Sequence, residues 1–227
     1  MTYVTLADLR WFAFRCTNAY LEELLPRVAT PRLEKFAIKF FDQSDVSIPH
    51  LQHYINTTEK FRFNCATLEF DDAIISVQAY PSDHAGMEPP FRSSIDFGIF
   101  NPEPQITTMA SLVLVLNALR TLFSNVETLT LEYTMASTSL QWQHAIDRAQ
   151  WRGLFGPFSS VETLNLPKEL VLVLSSSLEV FDGESPTDLF PELKEILYPV
   201  DVHTVDAFSS FLHARRNVGH PVTLVRR

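Results

Sequence analysis

A chain of 227 residues, 46% of them hydrophobic, carries ample apolar side chain for a continuous core, which argues against disorder. Its net charge of −9 is uneven: residues 1–64 hold eight Lys/Arg against seven Asp/Glu, and residues 65–227 hold ten against twenty, which argues against a nucleic-acid surface in the C-terminal two thirds. Two cysteines, Cys16 and Cys65, fit a reducing compartment, cytoplasm or nucleus; no secretory signal opens the chain, and the most apolar run, Met109 to Leu119, is far shorter than the roughly twenty residues of a membrane span.

The predicted strands share one pattern, apolar-x-x-apolar-x-apolar, clearest in Val126-Glu127-Thr128-Leu129-Thr130-Leu131 and its near copy Val161-Glu162-Thr163-Leu164-Asn165-Leu166, thirty-five residues later. In chain order the pattern picks out Leu9 to Phe14, Leu33 to Ile38, Thr58 to Phe63, the two hexamers, Leu193 to Tyr198, and Val222 to Val225. The fourth positions fall at intervals of 24, 25, 68, 35, 32 and 28 residues. The long interval hides one more strand, Ile95 to Phe100. Helical stripes lie between: Ala19 to Arg27; a helix opening at Ser47 as cap with Pro49 in its first turn; Thr107 to Phe123; Ser139 to Phe155; Lys168 to Leu178; and Asp206 to Asn217, stopped by Gly219. Thr67 to Phe70 and Ile74 to Tyr80 read as a β-hairpin turning at Asp71-Asp72, inserted with its loop at about residues 66–92.

Strand then helix, repeated, implies parallel pairing through right-handed crossovers. The second face of several strands carries Lys, Arg, Glu or Asn, which disfavours a doubly wound sheet covered on both sides. The fold expected is α/β: a right-handed leucine-rich-repeat-like solenoid in a single domain of about eight strand–helix units, with a curved parallel sheet, helices on the convex side and the inserted β-hairpin.

The wording adds to the pattern. Leu9 to Arg15, Ala19 to Arg27, Pro31 to Phe36, Ile48 to Leu51, Phe123 to Tyr133, Asp147 to Leu154 and Ala214 to Leu224 resemble, in order, the repeat region of the F-box proteins of mushroom-forming basidiomycete fungi. That resemblance implies repeats that choose substrates for a cullin-type ubiquitin ligase. In the family an N-terminal F-box docks onto the ligase adaptor; here Met1 stands only eight residues before Leu9, so the adaptor is an expected partner only if an F-box lies upstream.

Chemistry gains little support. The six glycines build no phosphate loop or dinucleotide fingerprint, there is no Gly-x-Ser-x-Gly elbow, and His50 with His53 lack further ligands at a metal-binding spacing. Cys16 and Cys65, placed two strands apart, would lie about 10 Å from one another, beyond disulfide reach. Trp142 and Trp151 read as helix core. No cofactor and no metal are expected.

What remains is the uncovered sheet face. The register gives Trp11, Ala13, Arg15; Lys35, Ala37, Lys39; Lys60, Arg62, Asn64; then Thr128, Thr130, Glu132 and Thr163, Asn165, Pro167. Trp11, Arg15, Lys35, Lys39, Lys60 and Arg62 form an expected basic stripe for an acidic segment of a protein partner, with neither nucleic acid nor membrane involved. A bland reading, in which these charges only keep the sheet soluble, stands beside it. The function expected is a non-enzymatic protein–protein interaction module. The alternatives are a cytosolic α/β enzyme with a site at the C-terminal ends of the parallel strands, and a degraded paralogue without a partner. An uncovered first strand would also promote self-association.

Overall fold

The two hexamers lie side by side: Thr128 pairs with Thr163, Leu129 with Leu164 and Thr130 with Asn165 in adjacent parallel strands. The computed structural model that places them describes residues 3–41, 46–58, 61–71, 74–82, 93–100, 106–134, 147–181, 183–199 and 206–227. In chain order these form β1 (Val4–Thr5), β2 (Trp11–Cys16), α1 (Asn18–Leu24), β3 (Val28–Ala29), β4 (Lys35–Phe41), α2 (Pro49–Thr57), β5 (Cys65–Phe70), β6 (Ile74–Tyr80) and β7 (Ser94–Phe100). Then follow α3 (Ile106–Ala118), α4 (Arg120–Phe123), β8 (Thr128–Tyr133), α5 (Arg148–Phe155), β9 (Thr163–Asn165), α6 (Val171–Leu178), β10 (Glu195–Tyr198), α7 (Ser209–Asn217) and β11 (Thr223–Arg226).

The fold is α/β, with an open mixed sheet ordered β2-β4-β7-β6-β5-β8-β9-β10-β11 and a separate parallel pair, β1 with β3. Every neighbour in the large sheet is parallel except across β6, which runs against both β5 and β7. The pairings Phe12 with Phe36, Leu129 with Leu164, Leu164 with Ile196 and Ile196 with Leu224 preserve the sequence intervals of 24, 35, 32 and 28.

Two expectations fail in the middle of the chain. The hairpin is no insertion: β6 and β7 are spliced between β4 and β5, so the chain passes from β4 through α2 to β5 and then returns by an antiparallel meander. The hidden strand therefore sits beside β4, with Phe36 opposite Ile95 and Ile38 opposite Phe97. Of the expected strand Thr58 to Phe63, the described residues 58 and 61–63 are in no strand, and the sheet strand begins at Cys65. Phe61 and Phe63 are buried, but so are Ala66, Leu68 and Phe70, so the inward parity changes between 63 and 66. The same step separates Val126 from Leu129 and Val161 from Leu164, so this strand repeats the hexamer as Phe63-Asn64-Cys65-Ala66-Thr67-Leu68, five residues after the expected one. The Asn64 carbonyl accepts from the Glu127 and Thr128 N–H groups, as the Glu127 carbonyl does from those of Glu162 and Thr163, and the Asn64 side chain bonds Ser82 at both the hydroxyl and the backbone N–H, 2.7 Å each.

One strand face is apolar. Phe36, Ile38 and Phe40 in β4, Ile95, Phe97 and Ile99 in β7, and Leu129 and Leu131 in β8 join a single core cluster with the buried stripes of the helices. Phe36 meets Tyr54 of α2 and Phe70 meets Trp151 of α5, which places the helices over this face. The expected helices Ala19 to Arg27, Lys168 to Leu178 and Asp206 to Asn217 are α1, α6 and α7 joined to 3-10 turns at Leu25–Arg27, Lys168–Leu170 and Asp206–Phe208, and Thr107 to Phe123 holds α3 and α4; Gly219, at φ +82°, ends the last. The first part of the Ser139–Phe155 helix, with Trp142, lies outside the described residues. Ser47 does not cap α2: the N-cap is Ile48, and the Glu22 carboxylate from α1 accepts from the His50 and Leu51 N–H groups at 2.7 and 2.9 Å. One repeat thus caps the helix of the next.

Candidate functional site

Alternation leaves the second face of the sheet to residues that do not join the core. Along the ladder they fall in rows. Trp11, Lys35 and Ser94 begin one row; Ala13, Ala37, Asp96, Gln78, Thr67, Thr130 and Asn165 form the next; Arg15, Lys39, Gly98, Ser76, Glu69 and Glu132 form a third. Charge is sorted across the strands. Arg15, Lys35 and Lys39 stand on β2 and β4, whereas Glu69 and Glu132 face one another on β5 and β8.

Between the two halves the floor is small. A Cβ at Gly98 would come within 3.2 Å of Ile74 Cγ2 and 3.3 Å of Ser76 Cβ, so glycine is what permits β6 and β7 to approach here. Asp96 lies at the boundary. Burial pushes its carboxyl pKa up, Lys39 pulls it down, and Glu69 adds to the upward push. At the end of the basic half, the Arg15 guanidinium reaches across β4 to lie 4.1 Å from the centre of the Phe100 ring, and Phe41 meets that ring edge-on at 6.3 Å.

Four of the six expected residues come together: Trp11 pairs with Lys35, and Arg15 with Lys39, on neighbouring strands of one face, with Trp11 64% exposed. Arg62 is exposed but precedes β5, off the sheet, and Lys60 lies outside the described residues. Because the hexamer here starts at Phe63 rather than Thr58, Cys65, Thr67 and Glu69 take the face positions expected for Lys60, Arg62 and Asn64, which ends the basic stripe at β4. Glu69 was missed because its strand read as an insertion, and Asp96 because the face register was not carried onto the expected strand Ile95 to Phe100. The alternation Ile95, Phe97, Ile99 around Asp96 and Gly98 was the available signal.

Two grooves open at the C-terminal ends of the strands. One, of about 580 Å³, lies between the end of β2 and α1, with Arg15, Cys16, Tyr20 and Phe41 in its walls. The other, of about 400 Å³, lies beyond β8, β9 and β10, where Thr130, Glu132, Asn165, Tyr198 and Arg227 meet. Asn165 donates to the Thr130 hydroxyl at 3.0 Å, and its Oδ1 is buried with no hydrogen-bond partner among the described residues. No histidine or cysteine lines this second groove. His50 and His53 are exposed on α2, and no group of three His, Cys, Asp or Glu among the described residues could hold a metal ion.

Neither cysteine forms a disulfide. Because β7, β6 and β4 separate β5 from β2, they lie four strand spacings apart, roughly 19 Å, rather than two, and on opposite faces of the sheet. Burial pushes the Cys16 thiol up to about 11, which keeps it protonated and unreactive at neutral pH. Asp71 donates its N–H to the Ile74 carbonyl in the expected turn, while Asp72 is outside the described residues. Trp151 is core, against Phe70 at 5.5 Å and Phe155 at 5.8 Å. No helix among the described residues is long and apolar enough to cross a membrane.

No protein-family model, curated protein or solved structure matches this chain.

Proposed function

We propose that this chain is a non-enzymatic protein-interaction module, a right-handed leucine-rich-repeat-like solenoid whose helix-free sheet face takes a segment of a protein partner. The observation that carries the reading is the sorting of charge on that face, with Arg15, Lys35 and Lys39 on β2 and β4 and Glu69 and Glu132 on β5 and β8. Charge arranged in this way orients a partner and selects against the reversed one. The segment crosses the strands with its acidic part over β2 and β4, where Trp11 supplies an exposed aromatic anchor. Its other part carries basic or hydrogen-bonding groups toward Glu69 and Glu132. The resemblance to the repeats of fungal F-box proteins supports a narrower role, as the substrate-choosing part of a ubiquitin-ligase receptor in the cytoplasm or nucleus.

A photo-crosslinking residue at Ala37, central in the basic half, tests the reading against the same residue at Leu172, which is 70% exposed on α6. The expected result is a covalent adduct from Ala37 that the double substitution Arg15→Glu, Lys39→Glu removes. Adducts formed from Leu172 alone, or unaffected by the double substitution, would overturn it.

A further inference from the structure

Strand β2 ends the large sheet, and among the described residues its only ladder is to β4. The phase of its free side follows from that ladder. The Arg10 carbonyl accepts from the Lys35 N–H at 2.9 Å, so the backbone groups of Phe12, Phe14 and Cys16 point toward β4, and those of Trp11, Ala13 and Arg15 point away. No proline and no bulge interrupts this edge over its six residues. The same end leaves Tyr3, Val4, Leu6 and Tyr20 exposed, and holds Phe12 and Phe14 only half-buried against the core. Apolar surface gathered at an unpaired edge marks a contact.

The residues around Ala13 complement themselves. A two-fold axis through Ala13 sets Trp11 of one copy opposite Arg15 of the other, twice, on the helix-free face. It also sets Phe12 opposite Phe14 on the helix face. The first pairing lays the indole against the aliphatic stem of Arg15, whose guanidinium is held over Phe100, and the second closes half-buried rings over one another. In an antiparallel pair, residues whose backbone groups point outward exchange both hydrogen bonds when directly opposite. Trp11 with Arg15 and Ala13 with Ala13 meet that condition without change to β4. A one-residue slip would place helix-facing side chains opposite helix-free ones. Pairing β2 instead with β11 of another copy would set the apolar edge against Thr223 and Arg226, both exposed, and would grow an open chain rather than a closed pair.

We propose that β2 pairs antiparallel with β2 of a second copy of this chain, about an axis at Ala13, closing the open end as a two-fold symmetric dimer. This interface is carried by the backbone of the sheet edge, and borders the helix-free face at Trp11 and Arg15.

The test is light scattering with size-exclusion chromatography on the chain, alongside Ala13→Pro, which removes an outward N–H and leaves the β4 ladder intact. The expected result is a dimer whose mass halves in Ala13→Pro with the thermal unfolding midpoint retained, while Arg226→Pro on the opposite edge remains a dimer. Independently of folding effects from proline, Ala13→Cys in a Cys65→Ser background should form an intermolecular disulfide under copper–phenanthroline. Directly opposed Cα atoms at a hydrogen-bonded pair lie about 5.5 Å apart, within disulfide reach. The Ala37→Cys control, one strand inward, should not. A monomer at every concentration, a dimer abolished by Arg226→Pro but not Ala13→Pro, or equal crosslinking at Ala13 and Ala37 would overturn the proposal.

Discussion

The two ends of the sheet are finished differently. At the β11 end the strand is short, its exposed positions are Thr223 and Arg226, and α7 beside it shows solvent a polar face. Beneath lies Arg215, with none of its surface exposed, its guanidinium donating to the carbonyls of His220, Pro186, Pro191 and Leu193 at 3.0 to 3.4 Å. Burial pushes its pKa down, and nearby Glu192 opposes this. One side chain thus satisfies carbonyls from the loop before β10 and from the turn after α7. At the β2 end nothing comparable occurs: Trp11 and Tyr20 are 64% and 68% exposed, and Phe12 and Phe14 of the core sit half-open. Terminal repeats of a stacked sheet need a polar outer surface to stand alone. The β11 end comes nearer to this, although Val218 is exposed and Leu224 and Val225 are half-buried, so the β2 end is where contact with a second chain removes the most apolar surface from water.

That contrast can be broken from either side. The largest effect belongs to Arg215→Ala, which leaves four carbonyls without their donor and opens a cavity. It should cost on the order of 3 kcal/mol, roughly 6–12 °C in a thermal melt of a chain this size. Arg215→Lys, with fewer donors and no planar fork, should recover part of this. A melt unchanged in Arg215→Ala would mean that the C-terminal end is not held in this way.

At the other end Glu22→Ala removes the carboxylate that caps α2, and should lower stability by about 1 kcal/mol in a denaturant titration, with unchanged slope. Ser47→Ala should have almost no effect, because Ile48 rather than Ser47 stands at the N-cap.

Acid should loosen the closed half selectively. The Arg148 side chain bonds Glu184 and holds its carboxyl down to about 2 from an ordinary value of 4.5. A lowered folded-state pKa gives stability that is present above the ordinary value and lost as pH falls through the folded one. Exposure of the pair to solvent keeps the effect small. Residues 183–188 should therefore gain amide exchange between about pH 4.5 and about pH 2 before the rest of the C-terminal half, and Glu184→Gln should remove that step. Smallest of all, Trp11→Lys should leave the melt within about 0.5 kcal/mol while raising solubility, since the indole touches mostly water in one copy.

Much of the sheet was legible because it is built on repetition. The apolar positions of the two hexamers predicted not only strands but the register between them, and the same intervals carry through to Ile196 and Leu224. What escaped had two causes. The hexamer of β5, Phe63 to Leu68, carries only alanine at its fourth position, whereas the rival Thr58 to Phe63 offered phenylalanine there. Glu22, distant in sequence, took a capping role that Ser47 was better placed in sequence to fill. The basic half of the helix-free face lay on strands whose register was plain. Of its acidic half, Glu132 lay on a repeated strand and Glu69 on the meander, whose strands pair in an order the chain does not announce.

The contrast between the ends is tested most directly by amide exchange at the two edges as a function of protein concentration. The outward amides of Trp11, Ala13 and Arg15 should exchange freely in dilute solution and become protected as concentration rises. The outward amides of Leu224 and Arg226 should exchange at one rate throughout. Concentration-independent exchange at β2, or protection that grows at β11 instead, would contradict an end left open at β2 and sealed at β11.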